Sequence, residues 1–219
     1  MVAHQNLMFL HIYNQSRKEL IHHMLTHQQI TRFRKKIYEY YRRHGRDLPW
    51  RKTRNPYHIW ISEIMLQQTQ VDRVKDKYLQ FISIFPGFKT LAQAPLQKIL
   101  LVWQGMGYNR RALYLRQTAA KIMHEHGGRF PSDIHAIMNL PGIGKHTASS
   151  ISAFAFNKPV VFIETNIRSV FIHEFFPKKH SVPDRMLMPL IAQTLDHKNP
   201  AQWYNALMDY GVYLKKTHA

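Results

Sequence analysis

The run Leu140-Pro141-Gly142-Ile143-Gly144-Lys145-His146-Thr147-Ala148 constrains this chain more than any other segment, because it dictates two helices and a sharp reversal between them. Pro-Gly-x-Gly between apolar stretches forms a tight turn, in which glycine takes dihedrals and close approaches that a Cβ forbids. Gly144 then opens the second helix, and the unpaired N–H groups at its start point outward, where a phosphate can sit. The segment Val160-Val161-Phe162-Ile163-Glu164 begins 16 residues after Gly144 and ends in an acid. A phosphate clamp followed by a lone carboxylate on a basic chain suggests an enzyme acting on DNA. An αα-hairpin followed by a helix-capping acid would carry the same local sequence, and both readings stand at this point.

Thirty-one Lys and Arg against 13 Asp and Glu give a formal charge of +18. Such an excess predicts long-range attraction to a polyanion and an affinity that falls steeply with salt. Ribosomal and membrane-surface proteins share this balance, but here the basic residues are spread along a patterned sequence, not gathered into a tail. At 219 residues and 45% apolar content, the chain can bury the core of one large domain or two small ones. It contains no Cys, which excludes disulfides, thiolate catalysis, thiolate zinc sites and a conventional iron–sulfur cluster. The 15 His are scattered, and neither His22-His23 nor His124/His126 has the companion ligands of a metal site. No apolar run reaches the ~18 residues of a membrane span. Met1 to Leu10 has no basic leader or cleavage site. A soluble, intracellular, monomeric protein of the cytoplasm or nucleoid, with no membrane partner, is expected.

The periodicity is helical almost throughout. Residues 1–29 are rich in His and Gln and form an N-terminal extension, an arm or a peripheral helix. Phe33, Ile37, Tyr40 and Tyr41 mark a helix over 30–44. Leu48-Pro49-Trp50-Arg51 reads as extended, and Asn55-Pro56 as a helix start with Asn as N-cap. Further helices are predicted over 56–69, 71–85, 90–94, 95–103, 110–126, 144–156, 166–175, 184–195 and 201–215. A short helix capped by Ser132 or Asp133 leads into the hairpin over 138–148. Only Val160–Ile163 is strand-like, and it is too short to found a sheet. The fold class is all-α.

Glu63 lies between Ile61 and Ile64, with Gln67 one turn later on the same face. A carboxyl in apolar surroundings holds its proton near neutral pH, as a general acid requires; a solvated Glu on an exposed face is the competing reading. Gln67, Gln68 and Gln70 offer paired donors and acceptors suited to base edges. Glu164 either stabilises positive charge at an anomeric carbon or complements a helix dipole. Gly105-Met106-Gly107-Tyr108 followed by Asn109-Arg110-Arg111 can insert Tyr108 between bases while Arg110 and Arg111 hold phosphates, or it is an ordinary helix–helix turn. Lys145 meets phosphate at the hairpin, while His146 faces the pocket or covers the turn.

Taken together, these segments resemble the helix–hairpin–helix glycosylases of base-excision repair, and most of all the adenine DNA glycosylase branch. The resemblance runs from Leu48 to Gly211. It rests on Leu48-Pro49-Trp50, Asn55-Pro56-Tyr57, Ser62-Glu63-Ile64-Met65-Leu66-Gln67-Gln68-Thr69-Gln70-Val71, Gly105–Tyr108, His126-Gly127-Gly128-x-Phe130-Pro131, the hairpin, and Met208-Asp209-x-Gly211. It implies a two-lobed helical bundle with a cleft between the lobes. One lobe, six-helix-barrel-like, would span about 56–165, and the second about 30–55 plus 166–219. The implied partner is double-stranded DNA carrying a mismatch or lesion, with the target base flipped out. Glu63 matches the family's general acid, and Glu164 stands where the family has an Asp that stabilises the oxocarbenium ion. Gln67, Gln68 and Tyr108 match the residues that wedge into the gap, and Gly142, Gly144, Lys145 and Thr147 those of the hairpin that grips DNA. The carbonyls of Met138, Leu140 and Ile143 match those that hold a monovalent cation.

Four departures stand out. Glu164-Thr165 replaces Asp-Gly. His146 replaces the Schiff-base Lys of the bifunctional relatives, which disfavours lyase chemistry. Lys215 occupies the position of the first of four Cys that hold the iron–sulfur cluster. No counterpart of the C-terminal domain that reads 8-oxoguanine is expected. The expected activity is a monofunctional N-glycosylase removing adenine opposite guanine or 8-oxoguanine. A uracil/thymine or hypoxanthine glycosylase, and a catalytically silent DNA-binding module, are the alternatives.

Overall fold

The computed structural model describes residues 24–217, so the extension expected over 1–29 lies largely outside the described residues. The described chain is built from eleven α-helices, and none of its residues forms a β-strand. It divides into two compact units. The first comprises the described parts of Met1–Gly45, Val161–Asp196 and Gln202–Ala219, and the second Arg46–Val160 with His197–Ala201. No helix among the described residues is long and apolar enough to cross a membrane.

The first unit opens with α1 (His27–His44). Thr26 and Gln29 form a reciprocal capping box at its start, a Thr-x-x-Gln signal that moves the helix three residues ahead of the first apolar position, Ile30. The unit continues with α9 (Thr165–Phe175), α10 (Asp184–Thr194) and the last helix, α11 (Pro200–Thr217). Phe33 of α1 sits edge-on to Phe171 at 5.4 Å and to Trp203 at 5.7 Å, and all three are buried. Arg34 closes the end of α10 by donating to the carbonyls of Thr194 and Leu195. The segment Val160–Ile163, strand-like in sequence, is irregular, with no strand beside it to complete a ladder. The Tyr204 hydroxyl accepts from the Phe162 N–H at 3.4 Å, and the two rings lie 4.1 Å apart.

The second unit holds α2 (Pro56–Leu66), α3 (Val71–Ile84), α4 (Phe88–Gln93), α5 (Leu96–Trp103), α6 (Arg110–Glu125), α7 (Ile134–Met138) and α8 (Lys145–Phe156). Leu48-Pro49-Trp50-Arg51, expected to be extended, instead starts a 3-10 turn over Pro49–Lys52. Proline suits the first position of such a turn, and the reversal buries Trp50 edge-on to Tyr78. Asn55 caps α2, its side chain accepting from the Tyr57 N–H at 2.9 Å. Tyr57, Ile59, Trp60, Ile61, Ser62, Ile64 and Met65 are all buried, so α2 is a central helix of this unit. Trp60 stacks on Phe88 at 5.7 Å, and α8 packs against α2 from the hairpin side.

The hairpin joins α7 to α8. Gly142 at its bend has φ +74°, and a Cβ there would lie 2.5 to 2.9 Å from the Tyr114 side chain, its Cβ included. The bend therefore needs glycine for two independent reasons. Gly144 has ordinary extended dihedrals and open space around it. Gly142→Ala is expected to cost about 2 kcal/mol or more and lower the melting temperature by about 4–8 °C. Gly144→Ala should stay within about 2 °C of the parent by the same scaling. Thermal denaturation followed by circular dichroism checks the pair, and equal melting points for the two would contradict this account of the bend.

Candidate active site and nucleic-acid interface

In the second unit the site is organised around the end of α2. Glu63 lies on that helix, half-buried, with Ser62 and Ile64 buried on either side of it. The solvated surface position that α2's sequence also permitted is therefore not the one it occupies. The chain leaves α2 through Gln67, Gln68 and Thr69. Gln67, expected as a wedge into DNA, turns its side chain inward, where its amide donates to the Thr147 hydroxyl at 3.1 Å. Thr147, expected to grip DNA, is buried at 8% exposure and is that acceptor. Both expectations give way to a structural link that ties the exit of α2 to the first turn of the hairpin helix.

Gln68 is exposed and has φ +54°. Tyr108 is 67% exposed and has φ +47°. Side chains other than glycine adopt this left-handed region at an energetic cost, and they keep it only where the surroundings impose it. Arg111 ties down the residues next to both. One of its terminal nitrogens donates to the carbonyls of Ile64 (3.0 Å), Met65 (3.1 Å) and Gln67. The other donates to the carbonyls of Met106 (2.7 Å) and Gly107 (3.2 Å) and to the Thr69 hydroxyl (3.2 Å). The guanidinium lies 5.3 Å from the centre of the Trp103 ring and 5.6 Å from that of Tyr108. Burial pulls its pKa below the ordinary arginine value, and Tyr108 opposes the shift. Arg111 thus closes the carbonyl end of α2 and clamps the two loops that present Gln68 and Tyr108. The expectation that it holds phosphate is corrected: the side chain is only 8% exposed and points into the unit. Sequence reading treated Arg110 and Arg111 as a pair, yet only Arg110 is exposed.

At the hairpin, Gly142, Gly144, Lys145 and His146 are exposed, and α8 begins with no side-chain cap. Its first N–H groups are therefore open to an anion, with the positive end of the helix dipole behind them. Among the described residues the carbonyls of Met138 and Ile143 accept no backbone hydrogen bond, while that of Leu140 accepts one from the Ile143 N–H at 3.2 Å. The turn therefore has acceptor capacity that suits a small cation.

Glu164 belongs to the first unit. It is the N-cap of α9, as the capping reading required: Oε1 accepts from the Ile167 N–H at 2.8 Å, and Oε2 from the Asn166 side-chain amide at 3.1 Å. The carboxylate is half-buried and held at both oxygens. Asn166, read from sequence only as a helix start, is a contact of the site that its place two residues after Glu164 could have signalled.

The adjacent arginines supply a direct check. Arg111→Met leaves five carbonyls without their donor and is expected to destabilise the fold by about 3 kcal/mol or more. Arg110→Met should change stability by less than about 0.5 kcal/mol, as is usual for surface positions. Urea denaturation of the two variants separates the roles, and an Arg111→Met protein as stable as the parent would remove the clamp from the argument.

The comparisons with known proteins agree with this arrangement. Residues 61–189 match the model of the HhH-GPD superfamily base excision DNA repair proteins. The adenine DNA glycosylase of Buchnera aphidicola subsp. Baizongia pistaciae is 38% identical over 83% of the chain, and that of Homo sapiens 31% identical over 84%. The chain spans 52% of the first relative's length and 36% of the second's. Among solved structures, a thermostable thymine-DNA glycosylase superposes with a TM-score of 0.75 at 28% identity, covering 83% of this chain and 85% of that one. An endonuclease III–DNA covalent intermediate gives 0.72 at 19% identity, covering 87% of this chain and 88% of that one, and speaks for the fold alone. With its hairpin, its α2 acid and its all-helical units, the chain belongs to the HhH-GPD superfamily of base excision DNA repair proteins.

Proposed function

We propose that this protein is a monofunctional DNA N-glycosylase that removes adenine mispaired with guanine or 8-oxoguanine in double-stranded DNA. One observation carries the reading. The half-buried Glu63 sits one turn before a loop that Arg111 holds in a costly backbone conformation, and that loop is bonded through Gln67 and Thr147 to a hairpin helix with an open N-terminus. An acid, a phosphate seat and two presented side chains are thereby built into one unit.

In this reading the adenine leaves the duplex, and Tyr108 and Gln68 occupy the gap. Glu63 delivers a proton to a ring nitrogen, so the electron pair of the glycosidic bond departs with a neutral base. The positive charge left on the sugar is stabilised by Glu164, and water completes the hydrolysis. The N–H groups at Gly144 and Lys145, with the Lys145 and Arg110 side chains, hold phosphates. The carbonyls of Met138, Leu140 and Ile143 would hold a monovalent cation, which supplies positive charge to a neighbouring phosphate. Position 146 carries an imidazole and not an amine, which supports hydrolysis without strand cleavage. The relatives named adenine DNA glycosylase support adenine as the base. The likeness to a thymine-DNA glycosylase supports a second reading, thymine or uracil opposite guanine.

Duplexes carrying each mismatch, treated with alkali after incubation, distinguish these readings. Release is expected from adenine opposite guanine or 8-oxoguanine, and release from thymine or uracil alone would move the assignment to the second. Glu63→Gln should slow release by about 10²–10⁴-fold with duplex affinity within threefold. Unchanged release in that variant would remove Glu63 as the acid, and no release by the parent from any mismatch would leave a DNA-binding module as the better description. Borohydride added during turnover should trap no covalent adduct, and an adduct in good yield would overturn the monofunctional assignment. Arg110→Met and Lys145→Met should each reduce the slope of log affinity against log salt by about one, with little dependence on sequence.

A further inference from the structure

We infer that Lys215, near the end of the last helix, is a positioning residue for the Glu164 carboxylate and acts through Asn166. The inference rests on the proposed role of Glu164. All three residues lie in the first unit. The Lys215 ammonium donates to Asn166 Oδ1 at 2.8 Å, and the Asn166 amide donates to Glu164 Oε2 at 3.1 Å. The chemistry fixes which way the amide faces. An ammonium can only donate and an ionised carboxylate can only accept, so an amide placed between them must turn its oxygen to Lys215 and its NH2 to Glu164. The other carboxylate oxygen is held by the Ile167 N–H at 2.8 Å. Each oxygen thus has its own donor, and together they set the plane and direction of the group.

The backbone is shaped for this relay. Gly211 lies on α11 one turn before Lys215, on the same face. A Cβ at Gly211 would stand 2.5 Å from the Asn166 carbonyl oxygen and 2.7 Å from the Asn166 Cβ. Any larger residue would drive α11 away from the start of α9 and carry Lys215 out of reach of the amide. A glutamate also has one more rotatable bond than an aspartate, so more side-chain freedom must be removed to aim it, and two fixed donors remove it. Lys215 is exposed, so its removal should disturb the carboxylate without disturbing the core.

The test uses the full chain under single-turnover conditions, with duplex containing adenine opposite guanine, together with amide exchange measured by NMR. Lys215→Met is expected to slow base release about five- to tenfold, the effect of losing one hydrogen bond of ordinary strength from an exposed ammonium, with duplex affinity within twofold. Exchange at the Ile167 N–H should quicken several-fold while that of buried Phe171 stays unchanged. Lys215→Arg, which can donate to the same oxygen, should restore most of both. In an Asn166→Ala background, Lys215→Met should add nothing. Parent-like release and exchange in Lys215→Met, or losses that multiply with those of Asn166→Ala, would overturn the inference. Glu164→Gln separates the two levels: if it is inactive while Lys215→Met behaves as the parent, Lys215 alone falls. If Glu164→Gln keeps full activity, the role of Glu164 falls and the relay falls with it.

Discussion

Five backbone carbonyls, drawn from the end of one helix and from two loops, meet the guanidinium of Arg111. A helix C-terminus leaves carbonyls that water would otherwise satisfy, and α2 is too deeply buried for water to reach all of them. Arginine presents four N–H groups on two terminal nitrogens in one plane, and these are shared among the carbonyls, whereas a lysine ammonium presents three from a single point. Its charge is surrounded by carbonyl dipoles that replace the solvent lost on burial. The position of Glu63, the link from Gln67 to Thr147 and the presentation of Gln68 and Tyr108 all depend on that one side chain.

The legible and illegible parts of the sequence divide along a physical line. Helix starts written in local chemistry, such as Asn55-Pro56 and Gly142-Ile143-Gly144, appear where the residues predicted them, because caps and tight turns involve neighbours in sequence. Leu48–Arg51 turns where local preference favours extension, because burial of Trp50 against the sequence-distant Tyr78 outweighs that preference, while Val160–Ile163, too short to found a sheet, stays irregular. Glu63 was legible as a residue, but its half-burial was not, since the spacing of α2 fits an exposed face as well as a central helix. Arg110 and Arg111 carry the same charge after the same turn, so residue type alone assigns both to phosphate. One turns out and one turns in, and a helix rotates successive residues by about 100° in a way charge counts do not register.

A formal charge of +18 therefore overstates what is offered to a polyanion. Arg111 and Arg34 both close helix ends, and Lys36 is bonded to Glu174 at 2.6 Å. Near the hairpin the exposed cations are few and local, Arg110 and Lys145 among them, with the open start of α8 adding the charge of a helix dipole. The second acid follows similar economy. Glu164 opens α9 as its N-cap, so the orientation the proposed chemistry requires is supplied by a bond that also stabilises the helix.

The left-handed backbone at Gln68 and Tyr108 has an evolutionary consequence. Each stores on the order of 1 kcal/mol that glycine would relieve. A lineage selected for heat tolerance alone would drift toward glycine at 68 and 108 and lose both side chains in doing so. A glutamine and a tyrosine at these two positions, where glycine would fit the backbone better, make them a gauge of whether selection has kept watch over the duplex or only over the fold.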